Sequence, residues 1–308
     1  MKMELISVSS VKLSGRPLTL GIGKFDGFHL GHQEIVRRIL QSSASSGTFP
    51  AVFTFRNFPA PFHLYPWKER TAALARSGIR LCIWSDFSGI SSWTPERFLS
   101  FLETAGVREL VVGFNFVFGA GRRGNVDILR RESENGRFRL TVVEPFLLDG
   151  EPVNSTGVRR SLLNGDVEQA ARLLGRYFSL AGEVMHGAGR GRGLGSPTIN
   201  LSVRSGVNVT NGVYAGWALF GGELFKAAIS IGVCPTFGGT GRKVEAFLLD
   251  EDRNLYGTPV TLFFAFRVRE QRCFTGAGAL KEQIGKDVAL IRSRVYPPPE
   301  IDAGGKKT

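Results

Sequence analysis

Apolar positions in the first half of the chain come in short runs separated by helical spacings. Leu18–Gly23 reads as a strand buried on both faces. In Gly31–Ser43, Ile35, Ile39 and Leu40 recur at a helical period. Ala51–Phe55 and Ile79–Trp84 read as further strands, and Glu109–Val112 and Arg139–Val143 continue the series. Thr94-Pro95-Glu96 predicts a helix start, with a capping hydroxyl, a proline in the first turn and an acid at the positive end of the dipole. Strands alternating with helices imply right-handed βαβ units and a parallel sheet.

The period changes after Ser155. Two helices are predicted first, Thr156–Leu163 and one capped by Asp166 that stops at Gly175. From Tyr177 onward the runs Phe178–Met185, Val213–Leu219, Phe225–Ile231, Lys243–Leu249 and Val260–Val268 are strand-like and parted by glycine-rich turns. The next long helical pattern is Gly278–Ser293. This half predicts a small antiparallel barrel with a closing helix. Pro297-Pro298-Pro299 predicts a frayed tail.

The length of 308 residues suits two domains, and 43% hydrophobic residues are enough for packed cores. Glycine occurs 39 times, and fifteen of these fall between Gly182 and Gly241, mostly in turns of the predicted barrel. The net charge of +12 points to an anionic partner: nucleic acid, membrane or phosphorylated small molecules. It is spread evenly, 19 basic against 13 acidic residues in 1–150 and 20 against 14 in the rest, which excludes a basic tail. The three cysteines, Cys82, Cys234 and Cys273, lie far apart and form no CxxC, so neither a disulfide framework nor a zinc ribbon is indicated. With no apolar signal core and no membrane span, the chain reads as cytoplasmic.

Candidate chemistry falls in four places. Lys24–His32 reads KFDGFHLGH directly after the first strand. Glycines at a strand-to-helix turn let backbone N–H groups approach a phosphate, and His29 and His32 could stabilise charge on a transferred phosphoryl group. In Asn154–Arg159, Ser155 or Thr156 caps a helix with Arg159 one turn on, an arrangement suited to a triphosphate. Gly113–Gly119, followed by Arg122 and Arg123, reads as a nucleotide-facing loop or a buried aromatic strand end. In Gly187–Asn200, five glycines alternate with Arg190 and Arg192 before a strand; Thr198 and Asn200 share a face there and offer oxygen ligands to Mg²⁺. Glu245, in the apolar run Val244–Leu249, reads either as a carboxylate pointing into the barrel, where it could act as a general base, or as an outward-facing residue of an alternating strand.

Taken together, these segments resemble the bacterial bifunctional riboflavin kinase/FAD synthetases. The likeness runs from about Leu18 to Arg292 and includes GKFDGFHLGH, GFNFVFG, NSTGVRRSLLNGDVEQAARLLGR, GRGRGLGSPTINL, NGVYAG, IGVCPTFGG, VEAFLLD and FTGAGALKEQIGKD. It implies an α/β fold: a Rossmann-like nucleotidylyltransferase domain in residues 1–176, a β-barrel kinase domain in 177–295 and a flexible tail in 296–308. The first domain would move AMP from ATP onto FMN, giving FAD and pyrophosphate. His29 and His32 would be catalytic there, with Gly23, Phe25, Asp26, Gly27, Gly31 and Asn115 around the nucleotide. Ser155, Thr156 and Arg159 would hold the pyrophosphate. The second domain would phosphorylate riboflavin from ATP, with Glu245 as general base and Thr198 and Asn200 on Mg²⁺. Gly187, Gly191, Arg192, Gly195 and Pro197 would surround the nucleotide, and Phe274, Leu280 and Asp287 the flavin.

Four places depart from the family pattern: Lys24 for asparagine, Arg56-Asn57-Phe58 within a Phe-Glu-Pro-His-Pro element, Asn115 for aspartate and Asn154 for serine. All lie in the adenylyltransferase half. The rival enzyme reading is therefore a riboflavin kinase with a weakened or inactive adenylyltransferase domain. The rival of another class is a nucleic-acid-binding barrel, against which the resemblance implies small-molecule partners only, with neither nucleic acid nor membrane.

Overall fold

The computed structural model describes residues 3–10, 15–185, 198–203, 208–232, 243–251, 253–294 and 296–298. The chain forms two compact units, Met1–Ser155 and Thr156–Thr308.

The first unit runs β1 (Glu4–Ser7), β2 (Leu18–Ile22), α1 (Leu30–Ser46), β3 (Phe49–Phe55), α2 (Trp67–Arg76), β4 (Leu81–Ser85), α3 (Phe87–Ile90), α4 (Pro95–Thr104) and β5 (Val107–Gly113). It continues with the hairpin β6 (Val117–Phe118) and β7 (Gly124–Asn125), α5 (Val126–Glu134), β8 (Arg139–Val143) and the hairpin β9 (Leu147–Leu148) and β10 (Glu151–Pro152). Six strands form one parallel sheet in the order β1-β4-β3-β2-β5-β8. Every residue of β2 is buried, as an apolar run at the sheet centre requires. Leu18, Leu20 and Ile22 pack with Phe98 and Leu102 on one face. Ile39, Val52 and Val111 pack on the other, where Gly21 is required: a Cβ there would lie 2.1 Å from Ile39 Cδ1. The chain steps outward from β2 through β3 to β4, then returns to place β5 on the other side of β2. That reversal opens a crevice at the carboxyl ends of β2 and β5, the usual ligand position in an open α/β sheet. Residues 24–32 and 114–119 follow those two ends.

The second unit begins with α6, which starts at Ser155 and ends at Asn164, and α7 (Val167–Leu174). The Asp166 carboxylate caps α7 by accepting from Gln169 N at 2.9 Å, and Gly175 ends it in the left-handed region. Helix α7 packs on the barrel, so the two helices after Ser155 group with the second unit, earlier than the division at 176 that the sequence suggests. The strands β11 (Phe178–Met185), β12 (Thr198–Val203), β13 (Gly212–Phe220), β14 (Glu223–Gly232), β15 (Lys243–Leu248) and β16 (Pro259–Arg269) close an antiparallel barrel in the order β11-β12-β15-β14-β13-β16. Helix α8 (Ala277–Ser293) packs on β14 and β16.

The start of the predicted tail is docked rather than frayed. Tyr296 is buried, its ring 5.5 Å from Trp217 and 5.4 Å from Phe266. The Tyr177 hydroxyl and the Trp217 indole both donate to Pro297 O, at 3.0 and 3.1 Å. Aromatic burial on the barrel offsets the ordering cost of this segment.

Candidate functional site

The crevice of the first unit is a cleft of ≈ 630 Å³. Gly23, Lys24, His29, Gly31, His32, Asn115, Asn154 and Ser155 form its polar wall, with Arg122 and Glu144. Its other wall is aromatic, including Phe55, Trp93, Phe98, Phe116 and Phe118. Phe98 packs on Phe118 at 4.8 Å, and Phe118 lies parallel to Phe116. One side therefore suits phosphate and the other a flat ring system. In Gly113–Gly119, Asn115 lines the cleft, while Phe118 is a buried strand end that lines it as well.

The turn that presents the histidines is held from several directions. Phe25, Gly27 and Phe28 all have positive φ, at 49°, 82° and 45°. For phenylalanine this conformation is strained and persists only when the surroundings impose it. Both rings are buried, and several carbonyls along the turn accept hydrogen bonds. Lys24 O accepts from Thr54 Oγ1 at 3.2 Å and Arg70 Nη1 at 3.0 Å. Asp26 O accepts from Ser155 Oγ at 2.9 Å, and Phe28 O from Gln33 Nε2 at 3.0 Å. His29 then stands at the N-cap of α1 and stacks on His32, with ring centroids 3.7 Å apart and planes 24° apart. Gly31 makes room for this: a Cβ would lie 3.1 Å from Val153 O and 3.3 Å from the His29 ring.

Three expected nucleotide contacts lie beneath the cleft instead. Phe25 is fully buried with its ring against His32 at 5.3 Å. Asp26 is 1% exposed, and its carboxylate accepts from the backbone N–H of Leu64 at 3.0 Å and of Tyr65 at 3.3 Å. Gly27 serves the turn. These residues shape the site without lining it.

The departures from the family pattern have structural partners. Arg56 lies over the Trp84 ring at 4.6 Å and pairs with Asp86 at 2.5 Å. Asn57 Nδ2 also donates to Asp86, at 2.9 Å. The Arg56 hydrogen bond holds the Asp86 carboxyl below the usual aspartate range. Phe58 is buried, with Lys24 Nζ and Arg70 Cζ each 5.1 Å from its ring centroid and His63 against it at 4.4 Å. Asn154 Nδ2 donates to Pro152 O at 3.1 Å. Thr156 and the half-buried Arg159 follow Ser155 along α6, in the second unit.

In the second unit, Asn200 on β12, Glu245 on β15 and Ser230 on β14 are direct cross-strand neighbours, and Thr198 lies opposite Phe247. Directly opposed residues share a face, so Thr198, Asn200 and Glu245 stand together. Glu245 does not point into the barrel. Val244, Ala246 and Leu248 alternate inward and are buried, which turns Glu245 and Phe247 to the outer face, where Phe247 joins the cluster under α8. The carboxylate is half-buried there and escapes the desolvation cost of a barrel interior. A hydroxyl, an amide oxygen and a carboxylate on one face form the hard oxygen set that magnesium prefers. Gly187, Gly191, Arg192, Gly195 and Pro197 lie outside the described residues.

Of the expected flavin contacts, Phe274 lies under Arg269 and Arg272, 5.6 and 5.3 Å from their guanidinium carbons, and Leu280 is half-buried on α8. The Asp287 carboxylate is buried and accepts from Arg269 Nε at 2.9 Å and Gln283 Nε2 at 2.7 Å. The sequence assigns no role to Arg269 or Arg70; neither lies in one of the motifs, and their partners are brought together only by the fold.

Each unit matches a different family. The FAD synthetase family model matches residues 12–157 and the riboflavin kinase model residues 174–295. A bifunctional riboflavin kinase/FMN adenylyltransferase from Pseudomonas fluorescens is 34% identical over 96% of this chain and 99% of its own. That of Haemophilus influenzae is 32% identical over 91% and 94%. A crystal structure of a Streptococcus pneumoniae protein named for macrolide efflux has a TM-score of 0.86 at 25% identity, covering 95% of this chain and 100% of its own. Among the described residues, no helix here is long and apolar enough to cross a membrane. With likeness of this degree along nearly its whole length, the chain belongs to the bifunctional riboflavin kinase/FMN adenylyltransferase family.

Proposed function

We propose that this protein makes FMN and then FAD, one reaction in each half. The observation that carries the reading is the stacked His29–His32 pair at the switch point of the first sheet, together with the pairing of Glu245 and Asn200 in the second unit. The adenylyltransferase function is assigned to residues 1–176, including α6 and α7 although these helices group with the barrel, and the kinase function to 177–295.

In the first half, a phosphate oxygen of FMN attacks the α-phosphorus of ATP. The bond to the bridging oxygen breaks and pyrophosphate leaves. His29 and His32 stabilise charge on the transferring group, and the amide end of α1 adds its dipole. Ser155, Thr156 and Arg159, by their match to the family's element, hold the departing pyrophosphate. The flavin ring rests on the aromatic wall.

In the second half, the terminal ribityl hydroxyl of riboflavin attacks the γ-phosphorus of ATP and ADP leaves. Glu245 takes the hydroxyl proton. Thr198 and Asn200 would hold magnesium together with phosphate oxygens, and the ion would supply charge neutralisation on the phosphates. Phe274, Leu280 and Asp287 belong to the flavin side, with Asp287 acting through Arg269. A cytoplasmic setting supplies ATP to both halves.

The test is to supply riboflavin, ATP and Mg²⁺ and separate the flavins by chromatography. FMN followed by FAD is expected. Failure to form FMN overturns the kinase reading, and FMN accumulating without FAD overturns the adenylyltransferase reading.

A further inference from the structure

Lys24 and Phe58, two positions that depart from the family pattern, touch each other. The Lys24 ammonium lies 5.1 Å from the centroid of the buried Phe58 ring, within cation–π range. Arg70 also stands 5.1 Å from the same centroid. The Lys24 backbone is fixed as well, since its carbonyl accepts from both Thr54 and Arg70. Arg70 is 3% exposed and also donates to Phe55 O at 2.9 Å and Arg56 O at 2.7 Å, so one guanidinium joins the ends of β2 and β3. A lysine normally loses much rotamer freedom when it engages a ligand. Here the aromatic seat and the clamped carbonyl remove part of that cost in advance.

Lys24 lines the same cleft as His29, His32 and Asn115. Imidazoles lose their charge near neutral pH, whereas an ammonium keeps it. We propose that Lys24 is a phosphate-binding residue of the adenylyltransferase cleft, placing a permanent positive charge against a phosphate oxygen of ATP. Phe58 seats its side chain, and Arg70 acts as a positioning residue through the Lys24 carbonyl. The inference rests on the adenylyltransferase reading above.

The experiment uses the full chain and two variants, Lys24→Met and Lys24→Arg. FAD formation from supplied FMN is measured against ATP concentration, and FMN formation from riboflavin is measured in the same samples. Loss of a charge-assisted contact predicts that Lys24→Met lowers kcat/KM for ATP in FAD formation about tenfold to a hundredfold. Lys24→Arg stays within about threefold of wild type because the charge is kept. FMN formation is unchanged by either, which also reports a folded chain. Lys24→Met forming FAD at the wild-type rate, or losing both activities alike, overturns the role of Lys24. A wild-type chain that forms no FAD overturns the adenylyltransferase reading and the lysine's role with it.

Discussion

Gly31→Ala tests whether the placement of the imidazole pair matters. The new Cβ would lie 3.1 Å from Val153 O and 3.3 Å from the Cε1 and Nδ1 of His29. A comfortable separation is about 3.5 Å or more, so something must yield by roughly 0.3–0.5 Å. The Val153 carbonyl is poorly placed to move: its own N–H donates to Phe146 O at 2.9 Å, and its side chain is buried. The His29 ring yields instead. Overpacking of this size costs about 1–3 kcal/mol, and alanine in a helix returns at most about 1 kcal/mol over glycine. Stability of the first unit therefore falls by roughly 0–2 kcal/mol, leaving the chain folded. A misplacement of about 1 Å can cost a hundredfold in rate, so roughly half that costs about tenfold. FAD formation from supplied FMN is expected to fall about tenfold while FMN formation is unchanged. A urea titration checks that the unit stays folded. FAD formation at the wild-type rate in Gly31→Ala would refute the argument that the imidazole geometry sets the rate.

Glu245→Gln keeps the shape of the side chain and removes the base; kinase turnover should fall about 10²–10⁴-fold while FAD formation from supplied FMN persists. Asp287→Ala strips the buried carboxylate from Arg269, and a urea titration of the second unit should read a loss of about 2–4 kcal/mol, discounted for the partial exposure of Arg269. Burial and the neighbouring Tyr177 push the Tyr296 phenol up to about 12. A raised folded-state value favours the neutral form, so the seating of Tyr296 is fully present below pH 10 and lost as pH rises through about 12. An absorbance titration of the tyrosines should show a late step that disappears in Tyr296→Phe.

The sequence pattern located most strands of both units because an apolar run at a sheet centre, as in β2, has few other uses. Helix α2 escaped it for a physical reason. Its buried residues are Arg70, Thr71 and Leu74, so it docks partly by hydrogen bonds instead of an apolar stripe. The same lack of long-range information governed the site. Asp26 stands in the middle of the KFDGFHLGH turn and reads as a ligand, but its partners are backbone amides 38 and 39 residues away. Glu245 was legible as an acid in an apolar strand, while the inward face of that strand was set by the barrel's closure. The pairing of Lys24 with Phe58 depends on β2 and β3 lying side by side, which spacing along the chain does not encode.

The division into two sites is tested most directly by measuring both reactions in His32→Ala and Asn200→Ala. The expected result is that His32→Ala accumulates FMN without FAD, while Asn200→Ala makes no FMN from riboflavin yet converts supplied FMN to FAD. Loss of both reactions in each variant, with the chain folded, would contradict it.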